Sequence, residues 1–219
     1  MEKKEFHRHN LPHFQQPGQA YFITWSLQGA VPPKAFHSYT LKLEMIKSQI
    51  ELQKIGKAEK SVIENLQQEY QVVRRKYIKA YNDLLDAERN PTINLERPEH
   101  TEIIRGALKF WEGKRLNNCA FTIMSNHVHW VLEVLDKDEQ GKPVYLQDLL
   151  QSIKRFSARQ INKLENRQGH LWQKESFDIT IRDRTHFYNA IEYTLNNPVA
   201  IGLVNDWKLW PGSCGNGDF

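Results

Sequence analysis

Apolar and polar residues alternate without interruption across residues 20–28 (AYFITWSLQ), with Tyr21, Ile23, Trp25 and Leu27 on one face and Phe22, Thr24, Ser26 and Gln28 on the other. A period of two predicts a strand. Beyond GAVPP the period changes: Ile63, Leu66, Tyr70, Val73, Tyr77, Ala80 and Leu84 recur at three- and four-residue spacing, the seam of a helix packed on another helix. Leu41, Met45, Leu52 and Ile55 offer the partner seam, so residues 41–90 predict a helical hairpin. The Pro- and Asn-bearing stretch RNPTINLERPEH (89–100) leads into helical periodicity over 99–112, carried by Ile103, Ile104, Ala107, Leu108 and Trp111. GKRLNN then turns into a second strand over 119–134, broken or bulged near Ser125-Asn126. After a polar loop, residues 145–165 predict a helix with Leu149, Leu150, Ile153, Ser157, Ile161 and Leu164 inward, and Arg155, Arg159 and Lys163 on another face. A last helix, about 184–196, is expected to end before Pro198.

The second strand raises a chemical question. In SNHVHWVLEV (125–134), Val128, Trp130, Leu132 and Val134 share one face while His127 and His129 share the other. Two imidazoles on one strand face fit a mutually satisfied polar pair, and they also fit two ligands to one cation. A metal site would need a third ligand, and catalysis a nucleophile. Downstream, FYNAIEYTLNNP forms a helix whose apolar stripe runs through Phe187, Ala190, Ile191, Thr194 and Leu195. Tyr193 lies roughly 120° from the centre of that stripe, so core packing does not demand it. Asn197 follows four residues later on the same face, and its place before Pro198 predicts the terminal residue of the helix. Separately these are an amphipathic surface tyrosine and a C-capping asparagine; together they can complete a site.

A second group is basic. Lys154, Arg155, Arg159 and Lys163 are interleaved with Phe156 and followed by Trp172, Lys174 and Arg182. Such a set is either a solvated helix face or a groove in which cations follow phosphates and aromatic rings stack on bases.

Composition narrows the setting without naming a function. The 219 residues are 40% hydrophobic and 26% charged, globular values that suit one domain with an elaboration. A net charge of +4 permits an anionic partner without requiring one. Cys119 and Cys214 form no metal-ligand spacing, MEKKEFHRHN lacks the apolar core of a secretion signal, and no apolar run reaches the ~18–20 residues of a membrane span. The expectation is a soluble, cytoplasmic chain with no membrane partner. The glycines of SCGNGDF follow no strand and open no helix, so no phosphate-cradling loop is expected.

The segments MSNHVHWVL, LLQSIKRFSARQIN, GHLWQKESFD, IRD and YTLNNPVAIGLV occur in an order and spacing that resemble the REP-associated tyrosine transposases, relatives of the single-tyrosine HUH transposases, over about residues 18–212. The resemblance implies a single HUH transposase-like domain across 1–219. Its fold would be α+β: a ferredoxin-like antiparallel sheet with helices packed on one face, the histidines on a central strand and the tyrosine on an opposing helix. The helical hairpin at about 41–90 would be an insertion, and residues 213–219 a flexible tail. It makes Tyr193 the nucleophile, His127 and His129 the HUH histidines, and Asn197 the third metal ligand. The implied cofactor is divalent magnesium or manganese, although the ligand types also admit zinc. The implied partner is single-stranded or hairpin DNA, contacted by Lys154, Arg155, Arg159, Lys163, Trp172, Lys174 and Arg182, with the protein on the nucleoid when bound. The resemblance departs at Ser125, usually proline, at Ala200-Ile201, and at Trp210-Pro211-Gly212-Ser213 in place of a W-S-S tail. Two rival readings keep the same residues: a hairpin-DNA-binding factor without transposition, and a metal hydrolase without a covalent step. The hairpin seam is satisfied equally by intrachain pairing and by a homodimer.

Overall fold

A computed structural model describes residues 6–8, 12–14, 17–32, 35–87 and 91–215. The chain divides into two compact units, residues 29–88 and the remainder.

The larger unit is built on a five-stranded antiparallel sheet. Its strands are β3 (Ala20–Ser26), β4 (Leu116–Ile123), β5 (His127–Val134), β6 (Phe177–Thr180) and β7 (Ser213–Gly215), in spatial order β6-β3-β5-β4-β7. A separate hairpin pairs β1 (Phe6–Arg8) with β2 (Pro12–Phe14). Helices α3 (Pro98–Lys109), α4 (Leu146–Leu164) and α5 (Arg184–Ala200) complete the unit. Chain order β3, α3, β4, β5, α4, β6 with the sheet order β6-β3-β5-β4 is the ferredoxin-like arrangement, and β7 extends the sheet at the β4 edge.

The break expected near Ser125-Asn126 is a full chain reversal. Met124 N–H donates to His127 O at 2.9 Å, Ile123 pairs with Val128, and one long stretch becomes the β4–β5 hairpin. The reversal sets Thr122 directly beside His129, with Thr24 of β3 on its other side.

The two faces of the sheet carry different helices. On one, Tyr21, Ile23, Trp25, Val128, Trp130 and Leu132 are buried. Here the Trp130 indole donates to Asn118, which donates in turn to Leu108 O of α3, while Trp25 meets Trp172 edge-on and the Trp172 indole donates to Ser157 of α4. This is the helical layer that the fold class implies. To it the structure adds α5 on the opposite, histidine-bearing face, where Ala190, Ile191 and Leu195 pack on Phe22, Ala120 and Val131.

Helix α5 begins where Asp183 accepts from His186 N–H, an N-cap written in the sequence. Its end differs from expectation: the helix continues through Pro198 to Ala200. Proline removes one N–H without stopping the helix, and closure comes at Gly202, whose φ of 74° supports Gly202 N–H to Val199 O and Leu203 N–H to Pro198 O. Residues 213–215, expected to be loose, form β7. Gly212 is required just before it, since a Cβ there would collide with Ile123 O, whose residue donates its N–H to Gly212 O. Residues 216–219 of the expected tail lie outside the described residues.

The smaller unit is a helical hairpin of α1 (His37–Ile55) and α2 (Lys60–Ala87). Phe36 packs on Tyr77 and Tyr81, and Tyr39 stacks on Tyr77 at 5.7 Å. The expected α1 seam is corrected: Leu41, Met45, Leu52 and Ile55 are exposed, and Leu43 and Ile46 are buried instead. At the end of α2 the buried residues are Tyr81, Asn82 and Leu85, whereas Leu84 is exposed.

Candidate metal and tyrosine site

The β3–β5–β4 register gathers the polar residues of one sheet face into adjoining rows. His129 lies between Thr24 and Thr122, and His127 lies beside Ser26. All are buried. The imidazole rings of His127 and His129 stand 4.6 Å apart at 75°, with their Nε2 atoms 3.1 Å apart. Two nitrogens each about 2.1 Å from one cation, at about 90° to each other, would be separated by about 3.0 Å. The spacing fits two ligands to a single ion, and the pair can hold a divalent cation.

The other ring nitrogens are engaged from behind. His127 Nδ1 lies 2.6 Å from Asn126 Oδ1, and His129 Nδ1 lies 2.8 Å from Thr24 Oγ1. Partners of this kind orient imidazoles whose opposite nitrogens bind metal. Burial pushes the His127 imidazolium down to about 3, and burial together with His127 holds His129 well below the ordinary histidine range. Both rings are therefore neutral near pH 7, the state that binds metal.

Tyr193 and Asn197 come to this face on α5. The Tyr193 ring meets the His129 ring at 5.2 Å and 70°, and Phe22 at 5.7 Å and 87°. Phe22 itself stacks on His129 at 5.7 Å, so the tyrosine, the histidine and a core phenylalanine form one aromatic group. Tyr193 nevertheless remains 41% exposed. Asn197, one helical turn further on, is only 3% exposed, and among the described residues its Oδ1 is buried without a hydrogen-bond partner. An unsatisfied buried carbonyl costs about 1–3 kcal/mol, a penalty that a cation ligand position would remove.

The basic residues are less concentrated. A groove of about 770 Å³ between α4 and residues 169–178 brings Lys154, Arg155 and Lys174 together, but Asp148, Glu175 and Asp178 line it as well. Lys154 donates to Gln173 O at 2.7 Å and to Lys174 O at 3.3 Å, and burial pushes its ammonium down to about 8 against an opposing effect from Glu175. Trp172, expected among the DNA contacts, is buried. At 6% exposure, held by Trp25 and Ser157, it supports the groove from within the core. Phe156 is the exposed aromatic on α4. Arg155, Arg159 and Lys163 are exposed along that helix, Lys174 is exposed at the groove, and Arg182 is exposed just before the α5 cap. The α4 groove lies on the sheet face opposite the histidines.

Sequence reasoning singled out both histidines, Tyr193 and Asn197, but missed Thr24 and Asn126 as their supports. Asn126 was signalled by its position immediately before His127, and Thr24 by the polar alternation of its strand, though only the register pairs Thr24 with His129. Among the described residues, no helix is long and apolar enough to cross a membrane.

No family model matches the chain. It is similar to a curated protein of Haemophilus influenzae that carries the provisional name REP-associated tyrosine transposase, with 28% identity over 101 residues. The match covers 43% of this chain, which thus spans about half the length of that relative, 56%. A solved structure of a REP-associated tyrosine transposase bound to a REP hairpin aligns with 94% of this chain and 80% of its own, at 14% identity and a TM-score of 0.45.

Proposed function

We propose that the chain is a metal-dependent HUH-type tyrosine transposase or endonuclease that cleaves and rejoins single-stranded DNA at hairpin repeats. The observation that carries this reading is one cluster: two imidazole nitrogens converge at 3.1 Å, and an accessible tyrosine packs directly on one of the two rings. The similarity to the Haemophilus influenzae protein supports the same class. A hydrolase relying on metal-bound water would not need a tyrosine there.

In the proposed reaction the Tyr193 hydroxyl oxygen attacks a DNA phosphorus in line. The phenol loses its proton to a base or to water, the Tyr193 O–P bond forms, and the P–O3′ bond breaks. The departing oxygen takes up a proton as a free 3′-OH, leaving a 5′-phosphotyrosyl link. Attack by another 3′-OH reverses these steps and joins strands, so the bond energy is kept without a nucleotide cofactor. A magnesium or manganese ion held by His127, His129 and Asn197 would offset the phosphate charge that repels the nucleophile. Phe22 and His129 hold the phenol ring in position, and the partly exposed side chain is reachable by a strand from solvent. Arg155, Arg159, Lys163, Lys174 and Arg182 would contact the DNA backbone, with Lys154 tying the groove together.

The test is incubation with Mg²⁺ or Mn²⁺ and end-labelled single-stranded hairpin DNA from repeats flanking the gene, followed by denaturing electrophoresis. A labelled protein adduct that disappears in Tyr193→Phe is the expected result. Binding without adduct or nick across several such repeats contradicts cleavage.

A further inference from the structure

The groove between α4 and residues 169–178 sets Asp148, Glu175 and Asp178 against Lys154, Arg155 and Lys174. A channel that only followed phosphates would repel the DNA backbone at each of those carboxylates. The groove is not a cation site either: among the described residues, its carboxylates do not come close enough together to share an ion.

Inside the groove one donor and one acceptor are left over. The Lys154 ammonium carries three N–H bonds, and its donations to Gln173 O at 2.7 Å and Lys174 O at 3.3 Å leave one unused. Glu175 lies near enough to favour that ammonium, yet its Oε2 is shielded from water and has no hydrogen-bond partner among the described residues. The last torsion of a glutamate is soft, so the carboxylate can turn toward the groove it lines.

A flat, neutral group with an acceptor beside donors on one edge fits such a pair. Leu150 and Leu171 give its faces an apolar wall, and the volume of about 770 Å³ lies within the range of small-molecule pockets. Of the four DNA bases, guanine alone sets two donors side by side, N1–H and N2–H, next to an acceptor, O6. A carboxylate accepts two parallel N–H bonds at once, whereas adenine, cytosine and thymine would bring a lone pair against it. In a hairpin stem this edge is occupied by the pairing cytosine, so only an unpaired guanine can present it.

We infer that the α4 groove is a base-reading subsite for one unpaired guanine of the DNA strand, with Glu175 accepting from N1–H and N2–H and Lys154 donating to O6. Arg155 and Lys174, both exposed at the groove, hold the flanking phosphates. The inference rests on the proposal that the chain binds single-stranded DNA but needs neither the metal nor Tyr193. It places recognition on the sheet face opposite the histidines, apart from the chemistry.

Fluorescence anisotropy of the full chain with labelled thymidine oligonucleotides carrying one central guanine, inosine, adenine or cytosine tests it. Inosine keeps O6 and N1–H and lacks the 2-amino group. The guanine strand should bind about 10-fold more tightly than the inosine strand, and the adenine and cytosine strands no more tightly than inosine. Glu175→Gln keeps the side-chain shape and replaces one acceptor with a donor. It should bring the guanine strand to the inosine level while the affinity for an all-thymidine strand and the thermal melt stay unchanged. A 6-thioguanine at the central position, photocrosslinked, should attach to peptides from α4 or residues 169–178. Equal binding of guanine and inosine strands by wild type, a preference that survives Glu175→Gln, or crosslinks only outside the groove overturns the inference and leaves the tyrosine chemistry standing. Absence of binding to every strand overturns both this inference and the single-stranded DNA reading. A guanine preference lost in Glu175→Gln, without any covalent adduct, supports the subsite and counts against the tyrosine chemistry alone.

Discussion

From His127 to Leu132 both faces of β5 are buried, yet their chemistry differs at His127 and His129. Val128, Trp130 and Leu132 are sealed against Trp25 and the α3–α4 layer, while His127 and His129 face α5 with Thr24, Thr122 and Asn126 around them. Burial therefore does not separate core from site. The difference is one of proportion: the first face is mostly apolar surface that gains from leaving water, with the Trp130–Asn118 and Trp172–Ser157 hydrogen bonds set into it, whereas the second face must satisfy two imidazoles and the hydroxyls beside them without water. It does so through Asn126, Thr24 and the Thr122–Ser213 pair, yet keeps an accessible phenol and an unsatisfied Asn197 oxygen. A fold optimised for stability alone would have apolar residues at these positions.

The sharpest way to separate the faces is to remove one atom from the second. Tyr193→Phe retains the ring that packs on Phe22 and His129, so its melting temperature should match wild type while covalent cleavage falls roughly 10⁴-fold or more. Adduct yield and a thermal melt check the two halves of this expectation.

The complementary variant acts on the first face. Trp130→Ala should cost about 3–5 kcal/mol in urea unfolding, because it opens the core against Trp25 and also removes the indole that donates to the Asn118 oxygen. Cation affinity per folded molecule should change little. A variant that lost ion binding while remaining folded would show that the faces are not independent.

On the second face, His127→Ala should reduce Mn²⁺ affinity by more than about 100-fold, beyond the range typical of a supporting residue. Calorimetry checks this, and chelation of wild type should abolish cleavage until Mn²⁺ is restored.

Acid provides a milder probe. In the unfolded chain both histidines bind protons as the pH falls through ~6.5, but in the folded chain burial holds His127 at about 3 and His129 well below the usual range. The unfolded state therefore binds more protons over this interval, and stability must fall as pH falls. The contribution of the pair is fully present above ~6.5 and is lost progressively toward about 3. Urea midpoints at pH 7, 5.5 and 4 should decline, and a smaller decline in His127→Ala would assign part of the slope to this face.

The smallest effect is expected away from both faces of β5. Arg155→Ala and Arg159→Ala should weaken hairpin DNA binding a few fold regardless of sequence, each lowering the salt dependence by about one charge. Titrations at several salt concentrations measure it.

What the sequence disclosed follows from how local each signal is. The alternation of residues 20–28 and 127–134 depends on near neighbours, and it was legible. Helix α1 was legible as a helix but not in its orientation. It carries Leu41, Met45, Leu52 and Ile55 on one side and Leu43 and Ile46 on the opposite side, and periodicity alone cannot say which side is covered. The end of α5 was misplaced because Pro198 was given more weight than Gly202, whose left-handed conformation supplies the actual stop. Cationic neighbours pointed to Trp172 as a DNA contact, while its packing on Trp25, far away in sequence, was not legible. The hydroxyl behind His129 was hidden for the same reason: no spacing rule connects Thr24 with a residue 105 positions later.

The most direct measurement is to trap the adduct formed with hairpin DNA and Mn²⁺, digest it with nuclease and protease, and locate the attached nucleotide by tandem mass spectrometry. The account predicts a single modified residue, Tyr193, linked to a 5′-phosphate. A nucleotide on any other residue, or cleavage with free 5′-phosphate ends and no modified peptide, would contradict it.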